Sequence, residues 1–157
     1  MDQEWKQKIK SGALTFLREN KVAVLSTTTN NEPHAAAIYY IIDDEFKLYF
    51  VTDPESRKAK DIKSNSKVAI VVGAGPEIST IQGGGEAIED VPKTVEILNE
   101  ISAKLNPNES HHWPIMKLNH KSLVCFRVEF SWLNWLNMDL TGLSAGTYKE
   151  GFQQVLP

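Results

Sequence analysis

Short runs of β-branched and aromatic residues, separated by compact polar turns, most constrain what this chain of 157 residues can fold into. Apolar runs of this length are typical of strands, and turn-forming residues bound each run. Six or seven strands are expected, at Val22–Thr28, His34–Ile42, Phe46–Thr52, Lys67–Val72, Ser79–Glu89, Leu123–Val128 and Trp132–Met138. Strands at such close spacing predict a mostly antiparallel β-barrel.

Three amphipathic patterns predict helices that cap this barrel. Residues 3–19 and 59–64 follow helical spacing, and a third helix is expected to begin near Pro92, since proline is favoured in the first helical turn. The third pattern has one apolar stripe, formed by Val95, Leu98, Ile101 and Leu105. Neither a repeat nor a linker divides the sequence, so a single domain over residues 1–157 is expected.

Three runs carry more specific expectations. The longest, His34–Ile42, predicts a central strand that is buried on both faces or has one face against a ligand. Three glycines, Gly83–Gly85, interrupt a strand and indicate a bulge, a sharp bend or the close approach of another backbone. The last two runs predict a terminal hairpin, and the tail from Asp139 is expected to be loop-like.

Composition limits the classes of function. A net charge of −3 and a pI near 5.8 argue against a nucleic-acid surface, which normally has a basic excess. The chain has no apolar run long enough to span a membrane, and its acidic N-terminus does not resemble a signal peptide. The single cysteine, Cys125, is expected to be a buried apolar side chain, which fits a reducing cytoplasm.

One junction between a strand and a helix has the chemistry of an anion site. Two hydroxyls, Thr52 and Ser56, precede two basic residues, Arg57 and Lys58, where the third strand gives way to a short helix. Free N–H groups and the helix dipole favour an anion at such a place. Arg57 adds a forked guanidinium and Lys58 a point charge, so the sequence predicts a phosphate site for a phosphorylated small molecule.

These segments resemble the FMN-binding split-barrel family typified by pyridoxamine 5′-phosphate oxidase. The resemblance covers about residues 10–90 well and Leu123–Asp139 more loosely. It depends on the segments Val22–Thr28, Asn31–His34, Ala35–Ile41, Tyr49–Thr52, Ser56–Lys58 and Asn65–Ala69. The resemblance implies a split antiparallel β-barrel, mostly β with α caps, that binds FMN.

The resemblance also implies which residues bind the cofactor. Arg57 and Lys58 would hold the FMN phosphate with help from Thr52 and Ser56, and the strand at 36–41 would run beside the isoalloxazine ring. The full implied set is Ala36, Ala37, Ile38, Tyr39, Tyr40, Ile41, Val51, Thr52, Ser56, Arg57, Lys58, Thr80 and Gln82. Members of the family usually form homodimers with FMN at the subunit interface, so a partner chain is expected to complete the site.

Departures from the oxidase itself narrow the expected function. Its flavin strand carries an arginine and a lysine where this chain has Ala36 and Ile41. After Arg127 this chain has neither arginine nor histidine, only Lys149, so the oxidase's C-terminal arginine and histidine have no match. A phosphorylated substrate would need a second anion site. The general stress protein-like or reductase-like branch therefore fits better than vitamin B6 phosphate oxidation.

Two classes of function remain open at this point. One is an FMN-dependent oxidoreductase acting on a small molecule, in which the cofactor supplies the redox chemistry. The other is a non-catalytic module that stores or senses FMN, or holds haem through an axial ligand such as His34 or the His111–His112 pair. Adjacent histidines without further ligand spacing do not predict a metal site. Ser-His-Asp and Rossmann signatures are not found.

Overall fold

The computed structural model describes residues 2–73, 79–105, 122–137 and 151–157. Its helices are α1 (Gln3–Glu19), α2 (Arg57–Ser64) and α3 (Thr94–Lys104), the last preceded by a 3₁₀ turn at Val91–Lys93. Its strands are β1 (Val22–Thr29), β2 (Glu32–Tyr39), β3 (Ile41–Ile42), β4 (Leu48–Thr52), β5 (Lys67–Val72), β6 (Ser79–Glu89), β7 (Val124–Asn137) and β8 (Phe152–Leu156). None of the helices described is long and apolar enough to cross a membrane.

The strands form one antiparallel sheet that curls into a half-barrel. Their order is β2-β1-β5-β6-β7-β4-β3, with β8 paired to β7. The strands at the two ends of this order, β2 and β3, are joined in the sequence by a single residue, Tyr40. Tyr40 is fully buried, and its hydroxyl donates a hydrogen bond to the Leu17 carbonyl of α1. The predicted split antiparallel β-barrel with helical caps is confirmed.

Two apolar clusters lie on opposite sides of β4. The main core holds Leu48 and Phe50 of β4 together with the buried face of α1, and the Phe50 ring stacks on Phe126 with centroids 5.4 Å apart. The second cluster holds Tyr49 and Val51 beneath α3. Because side chains alternate across a strand, β4 is buried on both faces, and its C-terminal end is held firmly where α2 begins.

The buried stripe of α3 differs from the prediction at one residue. Val95 is 70% exposed, whereas Ile97 is 2% exposed and packs with Leu98, Ile101 and Leu105. Ile97 precedes Ile101 by four residues, about one turn, and therefore shares its face. Val95 lies outside this face.

The prediction of one long central strand over His34–Ile42 is wrong. Residues 32–39 pair with β1 at one end of the strand order, and residues 41–42 pair with β4 near the other end. The run is apolar because its central residue, Tyr40, turns into the core between two strands. The end position of β2 also explains Pro33, since a proline has no N–H to donate to a ladder and is tolerated on an edge strand.

The predicted terminal hairpin is one continuous strand with a bulge. Gly84 pairs with Trp132 and Gly85 with Phe130, so Ser131 is the extra residue on β7, and its hydroxyl donates to the Gly84 carbonyl over 3.1 Å. A bulge bends a strand without ending it. The tail also differs from the loop expected after Asp139, because residues 152–156 form β8, while residues 138–150 lie outside the described part.

Candidate functional site

The junction between β4 and α2 is held by a small set of polar contacts. The Ser56 hydroxyl caps α2 by accepting from the Ala59 N–H over 3.3 Å, and it lies 3.1 Å from the Thr52 hydroxyl. The preceding turn is closed by Asp53, whose carboxylate accepts from the Glu55 N–H over 2.8 Å. These contacts explain why the helix begins at this point, and they place the two predicted hydroxyls side by side.

Arg57 and Lys58 occupy the first two positions of α2, and the Arg57 side chain is exposed. Within the described residues neither side chain makes a hydrogen bond or an ion pair, whereas Lys60 in the same helix pairs with Glu55 at 3.2 Å. Lys58 is half-buried, and this burial lowers the pKa of its ammonium group below the ordinary value. Lys58 makes no ion pair within the described part of the chain, and a partly buried cation of this kind is stabilised by an anion, so the junction suits a phosphate group.

A buried carboxylate on the next turn of α2 adds a group that the sequence did not single out. Asp61 is 3% exposed, and its Oδ2 atom lies 2.7 Å from both the Thr27 hydroxyl and His34 Nδ1. Burial alone would raise the pKa of Asp61, but these two hydrogen bonds and the charges of His34 and Arg57 together lower it. The carboxylate therefore stays ionised and links the β1–β2 hairpin to α2.

His34 and Arg57 border the same cleft beside α2. The cleft has a volume of about 570 Å³ and is lined by Thr29, Glu32, His34, Glu55, Arg57, Lys60 and Asp61. A sequence signal for this grouping does exist. Asn30 and Asn31 both have positive φ, as in a two-residue type I′ turn, and that turn sets Thr27 directly opposite His34.

The strand expected beside a flavin ring presents few side chains to solvent. Ala37 is exposed and Ala36 is half-buried, while Ile38 and Tyr40 point into the main core. Tyr39 and Ile41 pack against the second cluster, which includes Val51. The structure therefore brings Tyr39, Ile41 and Val51 together. Along the rest of the strand, mainly the backbone is available to a ligand.

Thr80 and Gln82 lie apart from the other predicted site residues within one protomer. They belong to β6, which β1 and β5 separate from β2 in the strand order. The Thr80 hydroxyl donates to the Val72 carbonyl over 2.9 Å, and Gln82 is exposed opposite Val71. The histidines considered as haem or metal ligands, His111 and His112, lie outside the described residues.

The fold and this junction together define a split β-barrel protein with a basic helix start at the end of a buried strand. The family model described as pyridoxamine 5′-phosphate oxidase matches residues 9–124. The chain therefore belongs to the pyridoxamine 5′-phosphate oxidase family.

Two relatives have similar sequences. General stress protein 26 of Bacillus subtilis (strain 168) is 29% identical over 109 residues, which cover 68% of this chain and 74% of that protein. The UPF0306 protein PM1958 of Pasteurella multocida (strain Pm70) is 36% identical over 55 residues, covering 34% of this chain and only 37% of its own length.

Solved structures support the same grouping. General stress protein 26 from Bacillus anthracis str. Sterne has a TM-score of 0.64 and 25% identity, covering 81% of this chain and 92% of that one. The predicted family and its stress-protein-like branch are confirmed. An FAD-binding protein from Mesorhizobium loti shares the fold at 17% identity, with a TM-score of 0.61 and coverage of 80% and 90%.

Proposed function

We propose that this protein binds FMN and uses it as an oxidoreductase acting on a small molecule. The observation that carries the proposal is the pair of Arg57 and Lys58, which make no hydrogen bond or ion pair within the described residues and follow the hydroxyls of Thr52 and Ser56. Membership of the pyridoxamine 5′-phosphate oxidase family supports a flavin ligand, and so does the shared fold of a protein described as FAD-binding.

The residues of the chain would bind and orient the cofactor. The Arg57 guanidinium can donate two parallel hydrogen bonds to phosphate oxygens, and Lys58 supplies a compact charge from the same helix start. The small side chains of Ala36 and Ala37 leave the backbone of β2 open to a flat ring, and Tyr39 would border it. The flavin, when bound, supplies the hydride or electron transfer.

The setting of the proposed enzyme is a single domain in the cytoplasm. Cys125 is free and fully buried, and burial raises the pKa of its thiol to about 12, so it is an unreactive packing residue. Such a cysteine is compatible with a reducing compartment. The substrate is a small molecule that need not carry a phosphate group of its own.

A homodimer would complete the site. The outward face of β1 exposes Val22 and Val24 at 40% and 38%, and Val24 lies opposite Ala37 on β2 and Val71 on β5. Gln82 continues the same face, since it pairs with Val71. A second copy packed here would bury these apolar side chains and bring its own Gln82 towards the flavin strand.

The first test is the affinity for FMN of the double variant Arg57→Ala/Lys58→Ala. Each charged hydrogen bond contributes about 1.5–3 kcal/mol, so we expect FMN binding to weaken by at least about tenfold. Riboflavin, which lacks the phosphate, should bind the variant and the natural protein alike. The matched control is Lys63→Ala, which removes an exposed charge from the last turn of α2. Equal FMN affinity in the double variant and the control would reject the phosphate site.

A second experiment separates an enzyme from a storage protein. The FMN-loaded protein is mixed anaerobically with NADPH or NADH while the flavin absorbance is followed. Bleaching followed by reoxidation with an acceptor is expected of an oxidoreductase. A flavin that stays oxidised with both donors would favour storage or sensing of FMN.

A further inference from the structure

Thr27, Asp61 and His34 form a chain of hydrogen bonds that determines which nitrogen of His34 faces the cleft beside α2. An ionised carboxylate only accepts hydrogen bonds, and Asp61 Oδ2 accepts one from the Thr27 hydroxyl at 2.7 Å. The contact of the same oxygen with His34 Nδ1, also 2.7 Å, therefore requires a proton on Nδ1. The other ring nitrogen, Nε2, is left for the cleft that His34 lines.

His34 shares its cleft with one residue of the predicted phosphate site, Arg57. Arg57 is the first residue of α2, and its positive charge is close enough to act on Asp61. The flavin strand begins two residues later, at Ala36, and runs away from His34. A group at this end of β2 can reach a terminal phosphate but lies several residues from the part of β2 that would face the ring.

The charges around His34 allow a cation to form there. Asp61 faces its Nδ1 side, with a side chain only 4% exposed against 22% for His34. The other charged groups of the cleft are Arg57 and Lys60 from α2, Glu55 from the preceding turn and Glu32 from β2. The neighbouring strand β1 contributes only the hydroxyls of Thr27 and Thr29. Lys60 is paired with Glu55, so the buried carboxylate of Asp61 is the group that stabilises an imidazolium.

We propose that His34, oriented by Asp61, is a third cationic ligand of the phosphate group bound by Arg57 and Lys58. The protonated Nε2 donates a hydrogen bond to a phosphate oxygen. No covalent bond is made or broken, and Asp61 keeps its negative charge throughout. Asp61 is the positioning residue in this arrangement. The inference rests on the proposed function, because it requires the phosphate to lie at the start of α2.

The ratio of FMN to riboflavin affinity is the readout that a purely structural histidine would not change. The two ligands share the ring and the ribityl chain and differ only in the terminal phosphate, which is almost fully dianionic at pH 7.5 because its second pKa is about 6. Both affinities are measured by calorimetry at this pH.

The variant His34→Gln isolates the imidazole. Its amide can still donate to Asp61, but it cannot accept a proton. We expect the ratio of FMN to riboflavin affinity to fall by about tenfold, the effect of one charge-assisted hydrogen bond. Lys63→Gln, which removes an exposed charge of α2 outside the cleft, should leave this ratio unchanged.

One result would overturn the inference, namely a ratio of FMN to riboflavin affinity that is the same in His34→Gln and in the natural protein. Riboflavin binding to the variant shows that its fold is intact. If Arg57→Ala/Lys58→Ala lowers the affinity ratio and His34→Gln does not, only the role of His34 fails. If neither change affects the ratio, the phosphate site itself is wrong.

Discussion

At the scale of single residues, the ionised carboxylate of Asp61 is the charge on which the hairpin, the helix and the cleft depend. Its burial opposes ionisation, and the bonds from Thr27 and His34 with the charge of Arg57 more than offset this, so the folded protein holds the pKa below the unfolded value. A carboxyl with a depressed pKa stabilises the fold at pH values above its unfolded pKa. This stability is lost as the pH falls through the folded pKa.

We therefore expect Asp61→Asn to destabilise the protein in a pH-dependent way. The cost should be about 1–3 kcal/mol at pH 7, where the natural carboxylate is ionised and accepts both hydrogen bonds. It should shrink below about pH 4, where the unfolded carboxyl takes up protons. Urea unfolding at a series of pH values measures both quantities.

The control for this prediction is Asp44→Asn. Asp44 also pairs with a cation, Arg18, but its side chain is 86% exposed, and such surface pairs contribute little. A cost for Asp61→Asn that is the same at pH 7 and at pH 3 would contradict the depressed pKa.

Single residues were predictable where the signal is local. Thr52, Ser56, Arg57 and Lys58 follow one another along the chain, so a strand-to-helix junction could be read directly. The contacts of Asp61 could be predicted only with the register of the β1–β2 hairpin, because its partners, Thr27 and His34, come from these two strands. The sequence predicts a turn at Asn30 and Asn31, the two asparagines with positive φ, but not the register that this turn sets.

At the scale of elements, the long β6–β7 ladder depends on a bulge that only glycine permits. A Cβ atom on Gly85 would lie 2.0 Å from the Glu129 carbonyl oxygen, which is backbone and has little room to move. The three glycines of β6 were predicted to mark a bulge or a close approach, and both occur at this position. Both halves of β7 were predicted as strands, but as a hairpin rather than one continuous strand. Pairing between distant strands leaves no local signal that would join them.

Gly85→Ala should disrupt this ladder. The added methyl group must push β7 away at the bulge, which we expect to cost about 1–3 kcal/mol or more. Thermal unfolding followed by circular dichroism measures the loss. Glu86→Ala, one position further along β6, changes an exposed side chain and should shift the midpoint far less. Similar midpoints for the two variants would show that the strands tolerate a side chain at this position.

At the scale of the whole molecule, sequence spacing was enough for the class of fold but not for its connections. Short strands and brief turns favour antiparallel neighbours, and the resemblance to a known family added the split barrel. The pairing of β4 with β7, and the return of the chain through Tyr40 from one end of the sheet to the other, follow from long-range packing. They also leave an exposed apolar face on β1, at Val22 and Val24.

The exposed apolar face of β1 predicts where two copies of the chain contact each other. Val24→Glu places a charge among Val22, Ala37 and Val71, and a buried unpaired charge in a subunit interface is strongly unfavourable. We expect light scattering to show a monomer for this variant where the natural chain is a dimer, and FMN to bind more weakly because the partner's part of the site is lost. Val95→Glu adds the same charge to α3, at a valine that is 70% exposed, and should leave both the dimer and the cofactor in place. A natural chain that is monomeric with FMN bound, or a Val24→Glu variant that remains dimeric, would place the interface elsewhere.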